Sequence, residues 1–193
     1  GIDVFDLEVD ADSPAALIET VERLQGGFGG INLEDISAPD CFEVEAELKA
    51  RCEIPVMHDD QHGTAIISGA ALLNSLELAG KRIDDVRVVF VGAGAAGIAS
   101  ARFYISLGVK PENLVMVDLR GVIRRDNADP TEPAAAFATA RELRTLEDAL
   151  DGADVMVGLS AGGLVTAQHI DRMAANPIIF ALANPDPEIE YSD

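Results

Sequence analysis

This 193-residue chain contains no tryptophan, only two cysteines, and only three lysines (Lys49, Lys81 and Lys110) among its 14 basic residues. Each shortage excludes something. Cys41 and Cys52 lie eleven residues apart, outside any CxxC spacing, and two cysteines cannot frame a disulfide scaffold in a chain this long. They read as reduced core thiols of a cytoplasmic protein. No apolar run approaches the roughly 20 residues that a membrane span needs. Bases are so outnumbered, 14 against 34 acids, that the net charge is −20. Such a surface repels nucleic acid and anionic membranes, and neither is expected as a partner. It also suits a protein kept soluble in very high salt, as from a halophilic source. The alternative is an ordinary acidic enzyme in which codon bias favours Arg over Lys. No internal repeat and no low-complexity tract is present. The start, GIDVFDLEVD, has neither the basic leader nor the apolar stretch of a signal peptide, and no initiator Met, so a piece of a longer chain is expected.

A hydrophobic content of 48% supports a packed core. Strand-like and helix-like stretches alternate along the chain. IDVFDLEV (2–9) reads as extended. Ser13-Pro14 reads as an N-cap with proline at N1, opening a helix to about Leu24. GGFGGINLE (26–34) reads as a strand after a glycine turn, Pro39 opens a second helix, and IPVMH (54–58) is a short strand. A small-residue-rich helix is expected over 63–80, with Gly80 as its C-cap. The strands after it are 86–91, NLVMVD (113–118), ADVMVGLS (153–160) and PIIFALANP (177–185). Helices are expected after the glycine turn and over 132–141, 146–151 and 166–174, and RRDNADPTEP (124–133) reads as an exposed loop. Continuous apolar strands alternating with helices predict an α/β fold. It is a doubly wound, mostly parallel, Rossmann-like sheet with helices on both faces. Residues 1–60 form a preceding β/α segment and 61–193 the dinucleotide-binding core.

The glycine loop Gly92-Ala93-Gly94-Ala95-Ala96-Gly97 directly follows an apolar strand and opens an alanine-rich helix, the context that a GxGxxG needs. Gly92 permits the tight turn, Gly94 a close backbone approach to a pyrophosphate, and Gly97 close helix–strand packing. Asp118 closes the next strand, 26 residues after Gly92, where a ribose hydroxyl needs an acceptor. A structural glycine turn with an ordinary strand-end Asp is the alternative. Arg120, Arg124 and Arg125 follow closely and could receive a 2′-phosphate, so NAD and NADP both stay open.

Two acidic pairs stand just past apolar strands: Glu34-Asp35 after FGGINL and Asp59-Asp60 after IPVMH. Carboxylates converging at the carboxyl edge of a parallel sheet suit Mg²⁺ or Mn²⁺. Zinc on His58 and His62 would need both on one helix face, which His58 at a strand end and Gly63 after His62 oppose. Helix N-capping accounts for Asp59 or Asp60 alone but poorly for two pairs.

FGGINLEDISAPDCFEVE (28–45), IPVMHDDQHGTA (54–65), VVFVGAGAAGIA (88–99), VDLRGVI (117–123) and FALANPDPEI (180–189) together resemble malic enzyme, the decarboxylating malate dehydrogenase, in its prokaryotic form. The resemblance spans nearly the whole chain. It implies oxidative decarboxylation of L-malate to pyruvate and CO₂ with NAD or NADP and Mg²⁺ or Mn²⁺, by a homo-oligomer (a dimer). Glu34, Asp35 and Asp60 match the family's metal-binding acids, and Asp59 the acid that supports its catalytic lysine. Thr64 and the loop from Gly92 to Gly97 match cofactor contacts, and Asn184 an asparagine near malate and nicotinamide. The family draws its tyrosine acid and lysine base from an N-terminal region. Tyr104, Tyr191, Lys49, Lys81 and Lys110 are not placed to replace them, so these 193 residues alone are expected to be inactive. The rivals are another metal-assisted hydroxyacid or amino-acid dehydrogenase, and a non-catalytic redox-sensing module that would leave the acid pairs idle.

Overall fold

The computed structural model describes residues 1–192. The chain divides into two compact units, one from Gly1 to Asp60 and one from Gln61 onward.

In the first unit, helix α1 (Pro14–Leu24) starts as its sequence dictates. The Ser13 side chain accepts the Ala16 N–H at 3.2 Å, and Pro14 occupies the first turn, where no N–H is needed. Strands β1 (Ile31–Leu33) and β2 (Val56–His58) pair in parallel, and helix α2 (Asp40–Arg51) is the crossover between them. Ile18 and Val21 of α1, Val44 and Leu48 of α2, Leu33 and Val56 close a small apolar core. Cys41 is buried and Cys52 half-buried, both free thiols, and burial raises both above the ordinary thiol pKa. Residues 2–9, expected to be extended, form no strand. Their alternation favours extension but supplies no ladder partner, and Ile2 and Phe5 stay exposed.

In the second unit, a five-stranded sheet has the order β5-β4-β3-β6-β7. Strands β3 (Val88–Val91), β4 (Leu114–Asp118), β6 (Val155–Gly158) and β7 (Ile178–Ala181) are parallel, and the two-residue edge strand β5 (Gly121–Val122) is antiparallel to β4. This is the mostly parallel, Rossmann-like sheet that the apolar runs predict. The chain leaves β3 for β4 on one side and returns for β6 on the other, so strand order reverses between β3 and β6. All four residues of β3 are buried, because helices cover both faces. Val89 and Val91 point into a core with Ala149 and Leu150 of helix α5 (Leu146–Leu150). On the opposite face, Phe90 meets the Tyr104 ring edge-on at 5.3 Å. Tyr104 lies on helix α4 (Ala95–Leu107), and its hydroxyl donates to the Ser68 carbonyl of helix α3 (Asp59–Ala79) at 3.2 Å.

Three expected helices change extent. Helix α3 begins at Asp59 rather than Gly63, since two carboxylates in the first turn favour the positive end of the helix dipole. Residues 132–141 hold only a 3₁₀ stretch, Pro133–Phe137. Beyond it Thr139 N–H donates to the Ile123 carbonyl and Arg125 N–H to the Thr139 carbonyl, both at 3.0 Å, which pulls the backbone into an extended bridge. The helix expected over 166–174 is α6 (Ala167–Asp171), led by Thr166 and His169 in a capping box.

Tyr104 packs as a core residue, and burial pushes its pKa up to about 12. The unfolded chain releases that proton near pH 10. The folded state therefore binds more protons between pH 10 and 12, and stability falls as pH rises through that window. The loss attributable to this group is on the order of 2–3 kcal/mol. Denaturant titrations of wild type and Tyr104→Phe across that range should show a shallower alkaline loss in the variant; equal slopes would contradict the assignment.

Candidate functional site: an acidic strand edge and a glycine loop

The first site residues arise from strand register. Leu33 pairs with His58, so the residues that follow, Glu34-Asp35 and Asp59-Asp60, leave the two-stranded sheet at the same carboxyl edge. Asp35 takes a left-handed backbone, φ 56°, which Asp tolerates better than most residues. In that conformation its N–H donates to Asp60 Oδ2 at 3.1 Å. The same Asp60 oxygen lies 3.5 Å from Nε2 of the fully buried His58, whose backbone N–H donates to Glu45 Oε1 at 3.2 Å. Glu34 and Asp35 are exposed, and the Asp60 side chain keeps 45% of its surface. Donor chemistry at this edge is carboxylate, which fits a hard cation. Among the described residues, no three His, Cys, Asp or Glu side chains are gathered closely enough to form a ligand set. His58 ends β2 while His62 lies in α3, so the two histidines do not share a helix face. Asp59 is the first residue of α3 and half-buried.

The second set belongs to the unit from Gln61 onward. Gly92 follows β3 with φ 124°, a conformation that L side chains rarely adopt, and a Cβ there would lie 2.5 Å from the Leu159 carbonyl oxygen. A Cβ on Gly97 would overlap the Gly92 carbonyl oxygen. Together they let α4 start hard against the end of β3. Gly94 is the N-cap of α4 and offers no side chain to its N–H groups, and no acid stands in the first turn. The first intrahelical bond at this end is Ile98 N–H to the Gly94 carbonyl, 3.0 Å. The N–H groups of Ala95, Ala96 and Gly97 therefore lie outside the helix ladder, at the positive end of its dipole. A Cβ on Gly94 would meet nothing within 4 Å, so the loop is open to an approaching ligand. This is an anion cradle suited to a pyrophosphate.

Asp118 ends β4 on the same edge of the sheet and is already engaged. It accepts Arg120 N–H at 2.7 Å on one oxygen, and Arg120 Nε and Nη2 at 2.9 and 2.7 Å on the other. Arg120 also donates to Glu132 at 2.7 Å, and Asp118 first, then Glu132, raise its pKa further. Arg124 is held by Asp126. Thr64 lies in the second turn of α3, and Asn184 is exposed in the loop after β7. Glu188 escaped sequence reasoning. It is fully buried and accepts two backbone N–H groups, from Ser160 at 2.9 Å and Ala183 at 3.1 Å. No local pattern announces it, because its partners are main-chain N–H groups, one in its own loop and one in the loop after β6.

The sheet order and the glycine cradle define a doubly wound domain of the dinucleotide-binding class. Residues 61–192 match the family model for the malic enzyme NAD binding domain. The chain belongs to the malic enzyme family. It is 54% identical over 98% of its length to the NADP-dependent malic enzyme of Halomonas elongata and covers 45% of that protein. It is 50% identical to the NAD-dependent malic enzyme of Rhizobium meliloti, covering 98% of this chain and 25% of that one. Among solved structures, the NAD-dependent malic enzyme of Thermotoga maritima superposes with a TM-score of 0.93 at 41% identity, over 99% of this chain and 52% of that one. The chain thus spans a quarter to about half the length of these relatives.

Gly97→Ala should weaken binding of reduced dinucleotide by at least about tenfold, because the new methyl separates α4 from the Gly92 carbonyl. Fluorescence titration checks it; unchanged affinity would contradict the role given to the close approach.

Proposed function

We propose that the protein to which this chain belongs oxidises and decarboxylates L-malate to pyruvate and CO₂ with NAD or NADP and Mg²⁺ or Mn²⁺. The observation that carries this beyond dinucleotide binding is the register that sends Glu34-Asp35 and Asp59-Asp60 off one sheet edge, with Asp35 bonded to Asp60.

Glu34, Asp35 and Asp60 would hold the cation, since a hard divalent ion takes carboxylate oxygens. The N–H groups of Ala95, Ala96 and Gly97 would bind the pyrophosphate, with Gly92, Ala93 and Gly94 shaping the approach, and Asp118 would accept from the ribose. Thr64 and Asn184 would complete the cofactor contacts, Asn184 orienting malate against the nicotinamide. When bound, the cation supplies Lewis acidity to the malate hydroxyl and the later carbonyl, and the dinucleotide accepts the hydride. Asp59 would support the lysine that removes the hydroxyl proton.

Among the described residues, no lysine stands free at the acidic edge to serve as that base, and Tyr191 is fully exposed rather than held in a site. Lys81 is tied to Asp154 and Lys49 to Glu45, each at 2.8 Å, and the Lys110 ammonium lies 3.8 Å from Asp85. Tyr104 is buried against Phe90. The proton work therefore falls to a further part of the enzyme, and the working form is a homo-oligomer, a dimer.

The test compares the purified 193-residue polypeptide with the full-length protein, using malate, Mn²⁺ and either cofactor. The polypeptide should bind dinucleotide but not turn over, since general acid and base groups are each worth about 10² to 10⁴ in rate. The full-length protein should turn over. Its Asp60→Asn variant should lose at least about 100-fold in kcat/KM and most of its Mn²⁺ affinity. Equal Mn²⁺ affinity and equal turnover in that variant would refute the metal assignment.

A further inference from the structure

Resting on the dinucleotide reading, we propose that Glu188 is a positioning residue for the nicotinamide half of the cofactor site. A fully buried carboxylate is costly unless its oxygens are satisfied. Glu188 satisfies them with main chain, Ser160 N–H on Oε1 and Ala183 N–H on Oε2. Those donors belong to two different loops, one following β6 and one following β7. Its own backbone is fixed as well, its carbonyl accepting Val165 N–H at 2.9 Å. The chain keeps a place for the carboxyl group. Gly158 ends β6, and a Cβ there would fall on the Glu188 carboxyl carbon.

Both tethered loops leave the carboxyl edge of the sheet, one after β6 and one after β7. Strand order reverses between β3 and β6, and in doubly wound sheets a dinucleotide lies across that switch point. Its adenosine half belongs with β3, α4 and β4, which carry the glycine loop and Asp118. The second half belongs over the loops that follow β6 and β7. Ser160 touches the crevice from one side: its Cβ would lie 3.3 Å from a Cβ on Gly92, and Leu159 N–H donates to the Val91 carbonyl at 2.8 Å. Ala183 adjoins Asn184. One carboxylate thus sets the separation of the Ser160 and Asn184 backbones without itself touching a ligand.

A residue with only a structural role would weaken both halves of the site alike. A positioning residue weakens one. Using the full-length protein, reduced dinucleotide and the matching ADP-ribose (with or without its 2′-phosphate) are titrated against wild type and Glu188→Gln. The amide keeps the volume but turns an NH₂ toward one of the two N–H donors. Dinucleotide affinity should fall by about tenfold, the worth of a hydrogen bond to a charged group. ADP-ribose affinity should change by less than about twofold, the melting temperature being followed in parallel. Parallel losses for both ligands, or no loss for either, would overturn the proposal while leaving dinucleotide binding intact. Wild type binding neither ligand would overturn the dinucleotide reading and this proposal together. If Glu188→Gln does not fold, amide exchange in the wild type decides. The Ser160 and Ala183 N–H groups should be protected in the ligand-free protein, and exchange as fast as an open loop would overturn the proposal.

Discussion

A methyl group will not fit between the start of α4 and the end of β3. Gly97 stands against the Gly92 carbonyl oxygen, and Gly92 turns at φ 124° against Leu159. Most of what this domain does follows from that close approach. It aims the N-terminus of α4, with the N–H groups of Ala95, Ala96 and Gly97 outside its ladder, at the carboxyl edge of the sheet. It also presses the turn against the segment after β6, which is where strand order reverses. The cradle for phosphate and the crevice for the rest of a dinucleotide are therefore one piece of backbone geometry.

Polar groups then work by holding main chain in place. Asp60 accepts the Asp35 N–H, Glu188 accepts those of Ser160 and Ala183, and Asp118 accepts that of Arg120. In each case a carboxylate fixes the path of a loop just beyond a strand end. The Asp118–Arg120–Glu132 cluster adds a consequence for cofactor choice. A 2′-phosphate would have to draw Arg120 away from two carboxylates, whereas a 2′-hydroxyl would compete only for Asp118. This chain shares about half its residues with relatives of both cofactor types, so the fold alone does not set the choice.

The sheet was legible because burial on both faces demands the unbroken apolar runs VVFV, LVMV and VMVG, and the glycine loop because its spacing sits between such a run and an alanine-rich helix. The acid pairs were legible as pairs, but their meeting depended on the Leu33–His58 register and on the left-handed Asp35, which no periodicity reveals. Gly63 suggested a helix start four residues late, because a glycine inside a long helix looks like its boundary while the dipole preference of Asp59 and Asp60 is a quieter signal. Residues 132–141 carry helix-forming alanines, yet long-range backbone bonds at Thr139 outweigh that propensity. Glu188 was not legible at all: its partners are peptide N–H groups 5 and 28 residues away, and every residue type except proline supplies one.

A dinucleotide bound by this domain would place its pyrophosphate on the N-terminus of α4, reached through the glycine turn. The most direct measurement is an amide NMR titration of the isotope-labelled chain with reduced dinucleotide, with inorganic pyrophosphate as a second probe. The Gly94, Ala95, Ala96 and Gly97 amides should shift with both ligands, and those of Ser160 and Asn184 with the dinucleotide alone. Shifts confined to other elements, with the four loop amides unmoved at saturation, would contradict it.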